Sequence, residues 1–171
     1  GKEELLSKLP PFLSGGDMLD TLSLTNKTCQ LCLKTLPWKY EAGTSNVEGA
    51  IGIMEAIKYL KKIGWDFIVE KEKKLTDFAL NNLKEMKNIE IYGPSREGNK
   101  VGVISFNIKG FSANEVASIL DQYGIAIRSG YHCAQPFHEA IGIPSSARMS
   151  FYLYNTIEEV KKTINILKKL K

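Results

Sequence analysis

The sequence predicts an α/β fold, and three observations support this prediction. Apolar residues recur at helical spacing between residues 46 and 86, and the pattern then changes to short strand-like runs that alternate with helices. Two of these later helices open with capping boxes, Ser112 to Glu115 and Thr156 to Glu159. With 43% hydrophobic and 25% charged residues in 171 positions, the chain has the composition of a globular protein with a real core.

The first 45 residues predict a hairpin-like arm. A short amphipathic turn ends at Pro10 and Pro11, and two strand-like runs follow at residues 18–25 and 33–42, joined by NKTCQLC. This beginning resembles the middle of a domain more than its start, so we expect a fragment of a longer protein.

Two helices and a small sheet are predicted next. A capping-box spacing, Ser45 to Glu48, opens a helix over about 46–62, and Gly64 separates it from a second helix over 65–86. The later strands are predicted at 89–94, 101–108, 126–129 and 147–153, with helices at 113–124 and 156–170 packed on one face of the sheet.

Charge and cysteine usage argue against several classes of protein. The net charge of +4 comes mainly from lysines on predicted helix faces, without interleaved aromatic residues, so no nucleic-acid function is predicted. Three cysteines do not form a disulfide framework, and no signal segment or membrane-length apolar run is present. We therefore expect a reducing, soluble compartment and no membrane.

Cys133 is the first candidate for chemistry, in the segment RSGYHCAQP (128–136). It follows an arginine, a glycine turn and a histidine, and it precedes a helix-start signal; a nucleophilic thiolate gains from such positive surroundings. A buried, inert cysteine is the alternative.

Arg128 and Arg148 are candidates for carboxylate binding. The chain has only three arginines among 23 basic residues, and these two lie in strand-like stretches rather than on lysine-rich helices. A planar guanidinium binds a carboxylate with two hydrogen bonds, which lysine does not do. A buried ion pair is the alternative.

Two weaker motifs complete the set of candidates. Gly43 and Thr44 precede a helix N-terminus, where a phosphate is one possible ligand and a simple turn and cap is the alternative. Cys29 and Cys32 form a CxxC without a second ligand pair, so we expect a solvent-facing hairpin tip and no metal site.

Six segments, taken in order, resemble the C-terminal part of SUF-type (group II) cysteine desulfurases. They are PPFLSGGDM, LPWKYEAGTSN, IEIYGP, VGVISFNI, YGIAIRSGYHCAQP and ARMSFYLYNT, and together they cover essentially the whole chain. That family belongs to the fold-type I pyridoxal phosphate enzymes and is similar to class V aminotransferases. The resemblance implies the end of the large cofactor-binding domain with a hairpin arm at 1–45, a linking helix at 46–64, and the small C-terminal α/β domain of the transferase fold at 65–171.

The resemblance also implies roles for individual residues. Cys133 corresponds to the nucleophile that takes sulfur from a cysteine–cofactor adduct and carries it as a persulfide. Arg148 corresponds to the arginine that grips the substrate carboxylate, and Arg128 to a second active-site arginine. Thr44, after Gly43, corresponds to the threonine that reaches the cofactor phosphate of the neighbouring subunit. An obligate homodimer, L-cysteine as substrate and a SufE- or SufU-like sulfur acceptor for iron–sulfur cluster assembly are therefore expected.

This chain departs from the family in three respects. The lysine that attaches pyridoxal phosphate lies in a motif that precedes this chain, so we expect the isolated chain to be inactive. Tyr131 stands where many members carry histidine, and the CQLC segment has no functional explanation. A selenocysteine lyase, a class V aminotransferase and a non-catalytic dimerisation or docking module are the alternatives. The expected location is the cytoplasm of a bacterium or a plastid-type organelle.

Overall fold

The structure is a computed structural model that describes residues 1–25, 27–94 and 101–170. The chain divides into two compact units, Gly1–Tyr59 and Leu60–Lys171. The predicted assignment of residues 1–45, 46–64 and 65–171 to the end of a large domain, a linking helix and a small domain stays a prediction.

The first unit contains a short helix and a two-stranded antiparallel hairpin. Helix α1 is Glu3–Lys8, strand β1 is Leu19–Thr25 and strand β2 is Thr28–Leu33. The hairpin is therefore tighter than predicted, because Thr25 pairs directly with Thr28. The predicted second strand at 33–42 is wrong: Pro37 has no N–H for a ladder, and Trp38–Tyr40 forms a 3-10 turn.

The 3-10 turn holds α1 in place through side chains. The Tyr40 hydroxyl donates to the Leu6 carbonyl at 2.8 Å, and the Lys39 ammonium donates to the Ser7 carbonyl at 2.9 Å. These two bonds satisfy carbonyls at the C-terminal end of a helix that has no buried residue of its own.

Helix α2 is Val47–Ile63, close to its predicted range. Its cap differs from the prediction, because the Asn46 side-chain oxygen accepts from the Gly49 N–H at 2.8 Å. The predicted Ser45 cap is wrong by one position, since Val47 is the first helical residue and Asn46 the residue before it. No residue of α2 is buried, and most of its large apolar side chains are exposed, while Leu60 and Ile63 are half-buried.

The second unit alternates helices with strands, as predicted, and the strands form an antiparallel sheet. Its elements run in chain order α3 Trp65–Lys84, β3 Ile89–Tyr92, β4 Val103–Ile108, α4 Ala113–Asp121, β5 Arg128–Gly130, α5 Gln135–Ala140, β6 Ser146–Ser150 and α6 Ile157–Leu167. The strand order across the sheet is β3-β4-β6-β5. Both predicted capping boxes are confirmed, at Ser112 with Glu115 and at Thr156 with Glu159.

One face of this sheet builds the hydrophobic core. Successive strand residues point to opposite faces, and on β4 the buried residues are Ile104, Phe106 and Ile108. They pack with Ala147 and Met149 of β6 against apolar residues of α3, α4 and α6. The prediction of helices on one face of a small sheet is confirmed.

The other face of the sheet is polar. A row of partners crosses all four strands in the order Tyr92, Ser105, Arg148 and Arg128. The edge strand that carries Arg128 begins at that residue, so its predicted range of 126–129 starts too early. Ile125 and Ile127 instead pack beside the core as a non-strand segment.

None of the helices in the described part of the chain is long and apolar enough to cross a membrane.

Candidate active site

Cys133 lies in a tight turn directly after the edge strand β5. The Ala134 N–H donates to the Tyr131 carbonyl at 2.8 Å, which closes a four-residue turn. The two central residues, His132 and Cys133, both have left-handed backbone conformations, with φ of 53° and 59°. This pair of positive φ values is the pattern of a type I′ turn, which glycine and asparagine usually occupy. The Cys133 thiol is exposed and free, so the alternative of a buried cysteine is wrong.

Arg128 is the charged group nearest to the sulfur among the described contacts. Its Nη2 atom lies 3.6 Å from Cys133 Sγ, within hydrogen-bonding range for sulfur. The turn folds the cysteine back toward the start of β5, which brings residues five positions apart into contact. A guanidinium N–H at this distance can donate a hydrogen bond to the sulfur and hold it in position.

Arg148 lies directly opposite Arg128, on strand β6. Its side chain is half-buried, and its Nε atom is buried without a hydrogen-bond partner among the described residues. The ion pairs in the described part of the chain join Lys58 to Glu55 and Lys74 to Glu70, so neither arginine has a carboxylate partner there. The donors of two guanidinium groups are thus available on one polar surface, next to an exposed thiol.

Two histidines and a serine lie beneath the turn. His132 Nε2 is 3.1 Å and His138 Nε2 is 3.0 Å from the hydroxyl of Ser146, the first residue of β6. Burial lowers the pKa of His132 below 6.5, and the positive charge of Arg148 lowers it further. A lowered pKa favours the neutral form of this ring.

Ser146 and His138 were not among the residues predicted from the sequence. The histidine content points to His138, because the chain has only two histidines and both lie within five residues of Cys133. No comparable signal points to Ser146.

A cavity of about 250 Å³ adjoins these groups on the polar face. Polar and apolar side chains both line it, and they include His132, His138, Ser146, Arg148, Val103 and Ile143. His132 Nδ1 is a buried atom without a partner among the described residues, as is Arg148 Nε.

Gly43 and Thr44 belong to the first unit, and Arg128, Cys133 and Arg148 belong to the second. Gly43 has a φ of +90°, which glycine adopts without strain. A Cβ atom on Gly15 would lie 2.5 Å from the Gly43 nitrogen, so the two backbones approach as closely as only glycine allows. Thr44 is exposed, and its hydroxyl has no partner in ranges 1–25, 27–94 and 101–170.

The CxxC lies within strand β2 rather than at a hairpin tip, which corrects the prediction. Cys29 pairs with Leu24 and Cys32 with Thr21, so the two thiols are three residues apart along a strand and point to opposite faces. Among the described residues, no group of three or more histidine, cysteine, aspartate or glutamate side chains is arranged to hold a metal ion.

Comparison with known proteins identifies the family. Residues 1–163 match the aminotransferase class-V family, so the chain belongs to that family. Among curated relatives, a probable cysteine desulfurase of Halobacterium salinarum is 44% identical over 160 residues, covering 94% of this chain and 37% of that protein. One of Staphylococcus aureus is 44% identical over 171 residues, covering 100% of this chain and 40% of that protein. The chain thus spans about 40% of the length of these relatives.

Two solved structures of similar proteins have the same fold as this chain. The apo cysteine desulfurase of Thermococcus onnurineus is similar with a TM-score of 0.88 and 37% identity, over 99% of this chain and 41% of that one. A cysteine desulfurase of Escherichia coli, described as an S-sulfonic acid, is similar with a TM-score of 0.84 and 30% identity, over 99% and 40% of the two chains. The α/β fold predicted from the sequence is the fold of these enzymes.

Proposed function

We propose that this chain forms the C-terminal part of a SUF-type cysteine desulfurase and supplies its sulfur-accepting nucleophile. The observation that carries the proposal is the contact between Arg128 Nη2 and Cys133 Sγ at 3.6 Å, on the exposed polar edge of the sheet where Arg148 also lies. Relatives that are 44% identical are probable cysteine desulfurases, which supports the same reaction class.

The proposed reaction converts L-cysteine and the Cys133 thiol into L-alanine and a persulfide on Cys133. The Cys133 thiolate attacks the substrate sulfur, the substrate C–S bond breaks, and its electron pair and a proton remain with the alanine product. No outside oxidant is needed, because the substrate carbon is reduced when it keeps the electron pair of the broken C–S bond, and this reduction balances the oxidation of sulfur to the persulfide. Arg148 binds the substrate α-carboxylate through its guanidinium, and Arg128 holds the sulfur of Cys133.

Pyridoxal phosphate is the proposed cofactor, and when bound it supplies the electron sink for loss of the substrate α-proton. The donor set of this chain fits its phosphate group: Thr44 offers an exposed hydroxyl without a partner in the described ranges, next to Gly43 in a conformation that leaves the backbone accessible. We propose that Thr44 and Gly43 contact the phosphate of a neighbouring subunit.

The lysine that attaches the cofactor is proposed to lie outside this chain. The 37–40% coverage of the relatives is consistent with this proposal, since most of their length has no counterpart here. We therefore expect the 171-residue chain alone to lack desulfurase activity.

The proposed partners follow from the reaction. A homodimer would let Thr44 serve the other subunit, and the exposed Cys133 turn would present the persulfide to a SufE- or SufU-like acceptor that feeds iron–sulfur cluster assembly. The cytoplasm of a bacterium or a plastid-type organelle remains the proposed location.

The test uses the full natural chain with pyridoxal phosphate and L-cysteine, and it measures alanine release together with peptide mass spectrometry. We expect one added sulfur on the peptide that contains Cys133 and none on the peptide with Cys29 and Cys32, which serves as an internal control. A Cys133→Ala variant should lose both the alanine and the added sulfur.

Other outcomes would contradict the proposal in distinct ways. Alanine release that survives Cys133→Ala would favour a selenocysteine lyase-like reaction without this nucleophile. Transfer of an amino group to a keto acid without sulfur release would favour a class V aminotransferase. Absence of cofactor absorbance in the full natural chain would favour a dimerisation or docking module.

A further inference from the structure

Three side chains beneath the Cys133 turn have no part in the proposed reaction. They are His132, His138 and Ser146, which we call the histidine–serine chain. Ser146 is 2% exposed and His138 is 3% exposed. Burying a polar group lowers the stability of the folded protein unless its hydrogen bonds are satisfied, so these two buried side chains need hydrogen-bond partners.

When the imidazole rings are neutral, the donor and the acceptor of each hydrogen bond in the histidine–serine chain can be assigned. His138 Nδ1 lies 3.0 Å from the Ala134 carbonyl, which only accepts, so Nδ1 donates and Nε2 must accept. The Ser146 hydroxyl therefore donates to His138 Nε2, and its lone pairs accept from His132 Nε2–H. One serine hydroxyl thus joins both rings.

The histidine–serine chain forms hydrogen bonds that hold the turn on both sides of Cys133. The His132 ring holds the residue before Cys133, and His138 holds the carbonyl of Ala134, the residue after it. Both rings also bond to Ser146, which is the first residue of a central strand and two positions from Arg148.

These hydrogen bonds matter because the backbone of the turn is strained. A non-glycine residue in the left-handed conformation is strained, and His132 and Cys133 adopt this conformation in succession. Such conformations persist only where the surroundings impose them. Without its anchors, the turn would relax and Cys133 Sγ would move away from Arg128.

We propose that Ser146 is a positioning residue for Cys133, acting through His132 and His138 to hold the left-handed turn that places the sulfur beside Arg128. This inference rests on the proposed function, because the turn needs to be held only if the sulfur has a reaction to perform. It assigns to Ser146 a role in the rate of sulfur transfer and none in binding the substrate.

The test compares Ser146→Ala with two matched variants in the full natural chain loaded with pyridoxal phosphate. Ser146→Thr keeps the hydroxyl, and the adjoining cavity of about 250 Å³ has room for the added methyl group. Ser105→Ala removes the same group from the same face of the sheet, one strand away, where the hydroxyl bonds to neither histidine.

We expect Ser146→Ala to lower kcat for alanine release at least 10-fold, since a displacement of about 1 Å at a reacting atom can cost about 100-fold. KM for L-cysteine and Kd for L-alanine should change less than about threefold, because Arg148 keeps its place. Ser146→Thr should recover most of the rate, and Ser105→Ala should match the parent. A merely structural role would leave no such split between kcat and KM and no rescue by threonine.

A second readout does not depend on activity. Iodoacetamide labelling of the protein without substrate, followed by peptide mass spectrometry, measures the rate at Cys133 against Cys29 in the same molecule. We expect Ser146→Ala to slow the labelling of Cys133 at least threefold relative to Cys29, because the sulfur loses its fixed position beside the Arg128 guanidinium. If Ser146→Ala fails to fold, His132→Ala removes the hydrogen bond between the partly exposed turn and Ser146. This variant should slow the labelling of Cys133 relative to Cys29 in the same way.

The outcomes separate this inference from the proposed function. Wild-type protein that releases no alanine would overturn the proposed function, and the labelling ratio would still decide the role of Ser146. Active wild-type protein in which Ser146→Ala behaves like Ser105→Ala would overturn the inference alone. The same conclusion follows if threonine rescues neither kcat nor labelling.

Discussion

Arg128 and Arg148 are direct cross-strand partners on β5 and β6, so two guanidinium groups share one face of the sheet at neighbouring positions. Like charges directly opposite each other destabilise a sheet. Neither charge is neutralised by a carboxylate among the described residues. A site with this cost to stability is suited to receive an anion, and the α-carboxylate of an amino acid has the size and the charge to fill it.

Replacement of Arg148 by lysine is expected to weaken the binding of L-alanine by about 10–100-fold, since hydrogen bonds to charged groups contribute about 1.5–3 kcal/mol. Lysine keeps the charge but loses the planar pair of donors. Cofactor absorbance, titrated with L-alanine, measures this affinity without sulfur chemistry. Arg148→Met is the matched variant without charge and should bind more weakly still; equal affinity in all three proteins would contradict carboxylate binding by Arg148.

Replacement of Arg128 by glutamine is expected to stabilise the protein by about 0.2–1 kcal/mol, because it removes one of two like charges that face each other. The same variant should slow the labelling of Cys133 by iodoacetamide, since the sulfur loses its guanidinium neighbour. Urea unfolding measures the first effect. The gain should shrink at 0.5 M salt, where the Debye length falls to a few ångströms (about 3 Å at 1 M); a stabilisation independent of salt would point to another cause.

The pH dependence of stability should carry a contribution from His132. Burial and the charge of Arg148 lower its pKa in the folded protein, so the unfolded chain binds the proton more readily. The contribution is therefore fully present above about pH 6.5 and is lost as pH falls through the lower folded pKa. Arg128 and His138 act in the same direction on this ring.

Urea unfolding between pH 8 and pH 5 tests this expectation. His132→Asn removes the titrating group and keeps a residue that tolerates positive φ, so its stability should fall less across this range. The two capping glutamates, Glu115 and Glu159, have pKa values lowered by hydrogen bonds from their caps, and their contribution is lost only below about pH 4.5. Parallel curves for the parent and the variant would contradict a lowered pKa at His132.

The fold was largely predictable because its patterns are local. The alternation of Ile104, Phe106 and Ile108 and the two capping boxes each depend on residues within one element. The second strand of the arm was wrongly predicted, because a strand forms only where the chain brings another strand beside it to pair with. The run from Leu33 onward looks like a strand, yet Thr25 pairs with Thr28 and Pro37 interrupts the ladder.

The site was predictable only in part, for a similar reason. Cys133, Arg128 and Arg148 carry signals of composition and neighbours, and the structure brings these three onto one face. Ser146 carries no such signal, since a serine at the start of a strand is ordinary. Its role arises from two histidines that reach it from a turn and from α5, which only the folded chain reveals.

Substitutions at the N-terminus of α2 distinguish the Asn46 cap found in the structure from the Ser45 cap predicted from the sequence. Asn46→Ala should weaken the first turn of α2 by about 1 kcal/mol, because its side-chain oxygen satisfies the Gly49 N–H. Amide hydrogen exchange at Gly49 should then become about fivefold faster, since 1.4 kcal/mol corresponds to about a tenfold change. Ser45→Ala is the matched control and should leave this exchange rate unchanged. The opposite result, with Ser45→Ala accelerating exchange, would restore the capping box that the sequence alone predicts.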